Sequence, residues 1–283
     1  MESSAFRARR STGPSWGAGL RESLFSPLRS FATDAGELAT FTGRTLLELR
    51  GVWRYSAEIL RQAGILIVGS ALVVWYMGFV VGLMCGIEAN YVLRGYGATI
   101  YSGVFTNYCY IREMAPYALG YMLSAKVGCG LVAEIGSMRI NDELDAMESM
   151  GLNPMRYVIA TRLVAAWLTL PMLFIVGLAF MYLAGWMVTV VQIGEVSKGG
   201  YEQIFWSFQD PFDILYSTLK AMAMGTAIVL VGMYYGYHAS GGPVGVGTAT
   251  ARSMILNMIL ITIISSLGTM VFWGLNPSGP IGG

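Results

Sequence analysis

The stretch GILIVGSALVVWYMGFVVGLMCG, residues 64–86, decides the class of fold. It contains no charged residue, and none occurs anywhere between Arg61 and Glu88. A helix of about 20 apolar residues crosses the ~30 Å hydrocarbon layer of a bilayer, so this stretch is long enough to span a membrane. The sequence therefore predicts a transmembrane α-helix at this position.

The composition of the whole chain agrees with a membrane protein. Of its 283 residues, 55% are hydrophobic and 12% are charged, whereas soluble domains carry about 25% charged residues. Four further apolar segments are long enough to span, at about 98–133, 163–194, 214–237 and 253–273. A glycine-rich turn, 238–252, is expected before the last of them. The prediction is an all-α integral membrane protein with about five transmembrane helices.

The region before the first span divides into two parts. Residues 1–32 are rich in Ser, Gly, Pro and Arg, which is typical of a disordered tail, here expected in the cytoplasm. Residues 33–61 mix apolar and charged side chains and predict an interfacial amphipathic helix before the five-span domain of residues 62–283. Three of its arginines are expected to face anionic lipid headgroups: Arg44, Arg50 and Arg54.

Basic residues are distributed unevenly between the segments that flank the predicted spans. Most precede the first span or lie between the second and third, whereas the opposite side holds Arg94 and Lys198. Because cytoplasmic segments are enriched in Lys and Arg, we expect a cytoplasmic N-terminus and an external C-terminus. The charged segment 134–154 then lies in the cytoplasm.

The residues required for common enzymatic sites are missing from the sequence. His238 is its single histidine, and the three cysteines have no metal-ligand spacing. The glycine-rich GGPVGVG (241–247) lacks the Gly-Lys-Ser/Thr of a phosphate-binding loop. A net charge of +1 gives no indication of nucleic-acid binding. We predict a non-enzymatic chain with no metal and no bound ATP of its own.

Three ionisable residues interrupt the second predicted span: Arg112, Glu113 and Lys126. Charges at membrane depth are costly and usually face protein or a water-filled cavity. Arg112 and Glu113 are neighbours in sequence and point about 100° apart on a helix, so each is expected to meet a partner on another helix or a lipid headgroup. Ion pairing between helices and contact with a substrate are equally compatible with this pattern.

The segment EIGSMRINDELDAMESMGLNP, residues 134–154, predicts a short amphipathic helix at about 135–151. Ile140, Leu144, Met147 and Gly151 form an apolar stripe, and acidic residues follow another face. Docking of a partner protein and packing on the chain's own spans explain the stripe equally well. The candidate docking residues are Glu134, Arg139, Asp142, Glu143, Leu144, Asp145, Met147, Glu148 and Gly151.

Several stretches resemble one family of permeases. Asp145-Ala146-Met147 followed by Gly151 is similar to the EAA-x-x-x-G loop with which permeases of ABC importers contact their ATPase. The wider stretches IREMAP (111–116), AEIGSMR (133–139) and DELDAMESMGLNPMRYVIATR (142–162) resemble the MlaE/YrbE permeases. GYHASGGPVGVG (236–247) resembles the actinobacterial YrbE proteins associated with MCE proteins, in particular the B-type subunit.

The resemblance implies a function that composition and periodicity do not reach. It implies the permease subunit of an MCE-type lipid ABC transporter in the plasma (inner) membrane. In such a subunit the 33–61 helix would be the elbow helix, the 135–151 helix would be the coupling helix, and Arg112 and Glu113 would lie near the lipid path. The implied partners are a second, different YrbE-type permease, two ATPase subunits that hold ATP and Mg²⁺, and an MCE assembly on the outer face. A non-transporting scaffold for MCE proteins and a secondary lipid carrier are the alternatives.

Overall fold

The computed structural model describes residues 36–274. The chain divides into two units after Gly43. Of the first unit, the structure describes residues 36–43, which are helical. The predicted tail, 1–32, and the first three residues of the predicted elbow helix lie outside the described residues.

The described residues form helices joined by short connections, and none of residues 36–274 is in a β-strand. The helices are α1 (36–48), α2 (Ser56–Arg94), α3 (Thr99–Ile140), α4 (Glu143–Ser149), α5 (Met155–Ile193), α6 (Lys198–Ser207), α7 (Pro211–Tyr237) and α8 (Gly242–Trp273). Five stretches are long and apolar enough to cross a membrane: Gly36–Arg94, which includes α2, and helices α3, α5, α7 and α8. The predicted all-α membrane fold with five spans is confirmed.

The N-terminal helix differs from the single helix predicted for 33–61. A 3₁₀ segment, Leu49–Tyr55, separates α1 from α2, and residues 56–61 are continuous with the first span. The 3₁₀ segment packs against the start of α5: a Cβ on Gly51 would lie 2.9 Å from the Arg156 guanidinium, which pairs with Glu48 at 2.7 Å. The three arginines predicted to face headgroups are exposed: Arg44, Arg50 and Arg54.

The long helices alternate in direction. We call the two ends of the bundle the α4 end, where α4 connects α3 to α5, and the α6 end, where α6 connects α5 to α7. α2, α5 and α8 run toward the α6 end, whereas α3 and α7 run toward the α4 end. Both ends of α3 are therefore adjacent to a short helix outside the spans.

Glycines allow α2 and α5 to approach closely. Gly78, Gly82 and Gly86 recur every four residues on one face of α2. A Cβ on Gly78 would lie 2.9 Å from the carbonyl oxygen of Gly177, and one on Gly82 would overlap the carbonyl oxygen of Met181. Small residues at this spacing permit the close backbone contact by which membrane helices associate.

The last span is longer than the sequence predicts. The expected turn at 238–252 is confined to a few residues, because α8 begins at Gly242 and not near Ser253. Gly241 adopts φ 85°, a left-handed conformation that glycine tolerates, and Pro243 occupies the first turn of α8, where a missing backbone N–H costs nothing. Glycine and proline here start a helix instead of preventing one.

Candidate functional site

Two ion pairs join α3 to α7 near the α6 end of the bundle. In the first, the Arg112 guanidinium donates to Asp213 Oδ2 from Nε at 3.3 Å and from Nη2 at 3.2 Å. The other oxygen of Asp213 accepts from the Trp273 indole N–H at 2.7 Å. The Arg112 guanidinium also lies 4.1 Å from the ring centroid of Tyr108, a cation–π contact. Asp213 is thus held by α3 and α8 at once.

The second ion pair places a fully buried lysine against the carboxylate of Glu113. Lys220 Nζ donates to Glu113 Oε2 at 3.1 Å and to Thr269 Oγ1 at 2.7 Å. Glu113 also accepts hydrogen bonds from the hydroxyls of Thr269 and Ser265 on α8. The Lys220 side chain is 0% exposed and that of Glu113 is 42% exposed, so the carboxylate is the accessible member of the pair.

We refer to Arg112, Glu113, Asp213 and Lys220 as the charge cluster. As expected from the sequence, adjacent Arg112 and Glu113 reach different partners on other helices. The four formal charges cancel, which limits the cost of placing them within a helical bundle.

An irregular turn of α3 presents the cluster. Residues Cys109–Met114 form a π-helical segment, and segments of this kind occur frequently at functional sites. Two carbonyl oxygens of this segment bind side chains of α7: Ile111 O accepts from Ser217 at 2.5 Å and Arg112 O accepts from Lys220 at 2.9 Å. α7 therefore stabilises the irregular backbone as well as the charges.

Lys126 lies apart from the charge cluster. It is exposed, belongs to a second π-helical segment of α3, Ser124–Gly128, and lines a cleft of about 210 Å³. Glu134 and Arg162 line the same cleft and pair with each other at 2.5 Å. The structure thus places the predicted intramembrane charges in two separate sites, Arg112 and Glu113 in one and Lys126 in the other.

The predicted docking helix, 135–151, is divided by the structure. α3 continues to Ile140, and Asp142 adopts a left-handed φ of 56° before the short α4 begins. Leu144 is 1% exposed, so the centre of the predicted apolar stripe packs within this chain. Gly151 has φ 81° and follows the end of α4. A single continuous helix cannot include the left-handed residue at 142.

The side chains that remain accessible around α4 are mainly acidic. Glu143 and Glu148 are exposed, as is Met150, and Met147 is partly buried. Asp145 pairs with Arg139 at 2.6 Å, and this pair connects α4 to the end of α3. Glu134, which is predicted to contact a partner protein, forms an ion pair with Arg162 of this chain. An external partner would therefore meet an acidic surface beside Met150.

Two members of the charge cluster, Asp213 and Lys220, could not be predicted from the sequence. Asp213 precedes the predicted span 214–237 in the sequence, whereas the structure places it in the first turn of α7. Lys220 lies inside that span, and the sequence gives no indication of its partner. The hydroxyls of Ser265 and Thr269 occur in an apolar segment and carry no signal of their own. One signal was available: a lysine inside a span requires an acidic or polar partner at the same depth.

The five apolar helices and the charges buried among them define a multi-pass α-helical membrane protein. Residues 59–271 match the family model described as Permease MlaE, and the chain belongs to that family of inner-membrane permeases. The resemblance noted in the sequence is thereby confirmed for the family, while the actinobacterial B-type assignment stays a prediction.

The chain is also similar to individual proteins of several organisms, two of which are named as permeases. The chain is 26% identical over 243 residues to a probable ABC transporter permease protein of Rickettsia conorii, which covers 86% of this chain and 93% of that protein. It is 26% identical over 221 residues to the intermembrane phospholipid transport system permease protein MlaE of Haemophilus influenzae, covering 76% and 83%. It is also similar to the chloroplastic protein TRIGALACTOSYLDIACYLGLYCEROL 1 of Arabidopsis thaliana, with 26% identity over 172 residues, 59% of this chain and 48% of that one.

Proposed function

We propose that the chain is the permease subunit of an MCE-type ABC lipid transporter. In this proposal it pairs with a second YrbE-type permease, binds two ATPase subunits at the α4 end, and carries an MCE assembly at the α6 end. The α4 end then faces the cytoplasm, in keeping with the distribution of basic residues. ATP and Mg²⁺ belong to the ATPase subunits.

One observation carries the proposal. A single helical stretch, α3, connects the charge cluster at one end to α4 at the other. Glu113 and Ile140 are separated by about 40 Å along this stretch at 1.5 Å per residue. A displacement of α4 by an ATPase is then transmitted along α3, through its π-helical segment Ser124–Gly128, to Glu113. This is the arrangement that coupling ATP hydrolysis to a lipid path requires.

The charge cluster supplies features that suit an amphiphilic substrate. The half-exposed Glu113 carboxylate lies beside Ser265 and Thr269, and α8 exposes apolar side chains that include Ile263 and Leu267. A lipid could place its polar group near the carboxylate and hydroxyls and its acyl chains along α8. The family match and the phospholipid transport named for the Haemophilus influenzae relative support a lipid as the substrate.

The decisive experiment reverses one exposed charge on α4. The chain is purified at native expression with its associated proteins, ATP hydrolysis is measured, and transfer of fluorescent lipid is followed in proteoliposomes. We expect Glu148→Lys to lower both activities by about tenfold or more, because charge reversal at a docking interface costs at least ~1.4 kcal/mol. Glu88→Lys, the same change at an exposed position near the C-terminal end of α2 and therefore away from α4, is the matched control and should leave ATP hydrolysis unchanged.

Three results would contradict the proposal. If the chain were purified without any ATPase subunit, the proposed transporter would have no source of energy. Unchanged lipid transfer in Glu148→Lys, with ATPase subunits and outer proteins still assembled, would favour a scaffold. Lipid transfer driven by a proton gradient in vesicles that contain the purified chain alone would favour a secondary carrier.

A further inference from the structure

A second pocket lies at the α6 end of the bundle, between α5 and α6. Its volume is about 360 Å³, near the lower limit of the ~300–1,000 Å³ typical of small-molecule sites. α5 contributes Tyr182, Leu183 and Trp186, and α6 contributes aromatic rings at three positions: Tyr201, Phe205 and Trp206. Five of the seven lining side chains are therefore aromatic.

α6 is held firmly against the bundle, so the pocket has a fixed wall. Asn107 on α3 donates to the carbonyl oxygen of Phe205 at 3.0 Å, and the hydroxyls of Thr106 and Tyr201 lie 3.1 Å apart. A Cβ on Gly103 would lie 3.2 Å from backbone atoms of α6. Burial raises the pKa of Tyr201, so its hydroxyl stays neutral and adds no charge to the pocket.

Glu202 is the one charged residue that lines this pocket. Its Oε1 accepts from the indole N–H of Trp186 at 3.1 Å, a neutral donor that orients the carboxylate. Within residues 36–274, no basic side chain lies within salt-bridge distance of it. The ammonium group of Lys198, one turn earlier on α6, lies over the Trp186 ring at 5.9 Å.

Aromatic faces and a lone carboxylate favour one class of ligand. Ring faces carry negative electrostatic potential and attract ammonium groups, and cages of this kind recognise quaternary ammonium ions. The same features disfavour a headgroup whose only charged group is a phosphate or a carboxylate. The position of Lys198 over Trp186 shows that a cation is accommodated at the edge of this pocket.

The location of the pocket favours a lipid as the source of the ammonium group. It opens beside Leu183 and Trp206, which are 48% and 59% exposed, at the end of a membrane-crossing helix. Trp and Tyr at span ends lie at the level of the lipid headgroups. An ammonium headgroup could enter the cage while its acyl chains stay in the bilayer.

We propose that the pocket between α5 and α6 binds the alkylammonium headgroup, of choline or ethanolamine type, of a membrane lipid. Tyr182, Trp186 and Trp206 supply the aromatic walls, and Glu202 supplies the counter-charge. The site uses residues outside the charge cluster, and its occupation does not depend on lipid transport. The aromatic walls of this pocket select one type of headgroup by shape and charge. The exposed Glu113 carboxylate and its two neighbouring hydroxyls form no such walls.

The test measures lipid binding to the full-length chain by native mass spectrometry from detergent micelles. Phosphatidylcholine and phosphatidylglycerol with identical acyl chains are titrated separately, and free choline is titrated alone. We expect phosphatidylcholine to bind about tenfold more tightly than phosphatidylglycerol, the size of effect that one desolvated cation–π site supplies. Free choline should bind far more weakly than phosphatidylcholine.

Variants assign the binding to the pocket. Glu202→Gln keeps an acceptor for the Trp186 N–H and removes the charge, and Trp186→Leu removes one wall; each should reduce the preference for phosphatidylcholine by about tenfold. Trp186→Phe keeps a ring and should retain most of it. Glu88→Gln, an exposed carboxylate elsewhere on the same end, is the matched control and should not change it.

Several outcomes would overturn the proposal. Equal binding of the two phospholipids by the natural chain would show that no headgroup is selected. Equal binding of free choline would assign the site to a soluble solute instead of a lipid. Unchanged preference in both Glu202→Gln and Trp186→Leu would place the headgroup elsewhere. A carbodiimide cross-link between Glu202 and a lysine of a co-purified protein would identify a protein partner as the occupant.

Discussion

The two ends of α3 hold charged side chains under opposite conditions. At the α6 end, Lys220, Asp213 and Arg112 are almost fully enclosed and bonded within the chain. At the α4 end, the Arg139–Asp145 pair is exposed, and Glu143 and Glu148 are open to solvent. The first set of charges determines how helices associate, whereas the second set is available to another protein.

The difference in burial also explains why mutations at the two sites should have different effects. Removing one partner of a buried pair leaves an uncompensated charge in a poorly solvated place, whereas an exposed charge regains water. Mutations in the charge cluster should therefore affect stability first and function as a consequence. Mutations on the exposed face of α4 should affect partner binding with little change in stability.

The largest effect is expected for Asp213→Ala. This change leaves the Arg112 guanidinium and the Trp273 N–H without their carboxylate acceptor. The free energy of unfolding should fall by about 3–5 kcal/mol, the usual cost of breaking a buried pair by removing one partner. Thermal denaturation in detergent, followed by size-exclusion chromatography with fluorescence detection, measures the loss.

A double replacement serves as the control for this prediction. Arg112→Leu combined with Asp213→Leu removes both charges, so it should recover a substantial part of the stability lost in the single variant. If Asp213→Ala melted at the temperature of the natural chain, the proposed pairing between α3 and α7 would be absent.

A smaller and more local effect is expected for Leu144→Ala. Leu144 is buried at 1% exposure, and truncation of a buried leucine costs about 2–5 kcal/mol. Because α4 is a short helix at the edge of the bundle, the loss should appear as local opening of the segment from 141 to 152. Hydrogen–deuterium exchange should accelerate there and remain unchanged in α7.

The matched control for this variant is Met150→Ala. Met150 is 70% exposed and close to Leu144 in sequence, so its truncation should change stability by less than about 0.5 kcal/mol. Equal acceleration of exchange in the two variants would mean that Leu144 does not anchor α4.

The spans could be predicted from the sequence because each is an apolar run that a bilayer requires. The start of α8 could not be predicted, because the glycines and the proline in 241–247 are typical of a turn. They are part of a helix here because a span follows directly. Likewise, the break in the helix predicted for 33–61 could not be predicted, because Gly51 packs against Arg156, a contact between residues distant in sequence.

The candidate site was predictable in part. Arg112 and Glu113 are conspicuous because charges are rare in spans, and two adjacent charges on a helix must find separate partners. Asp213 could not be singled out, because it precedes the predicted span 214–237 in the sequence, and an acidic residue outside a span needs no buried partner. The burial of Leu144 depends on how α4 folds back against α3, and the periodicity of the segment left packing and docking equally open.

The smallest effect is expected for the ion pair between Arg139 and Asp145. The two side chains are 37% and 57% exposed, so a double-mutant cycle with Arg139→Ala and Asp145→Ala should give a coupling energy of about 0.2–1 kcal/mol. The coupling should largely disappear in 1 M salt, where the screening length is about 3 Å. The same cycle on Arg112 and Asp213 should give a larger coupling that salt scarcely changes, because solvent ions do not reach that pair. A salt-insensitive coupling at Arg139 would show that α4 is enclosed by the protein, and the acidic face could not then serve as a docking surface.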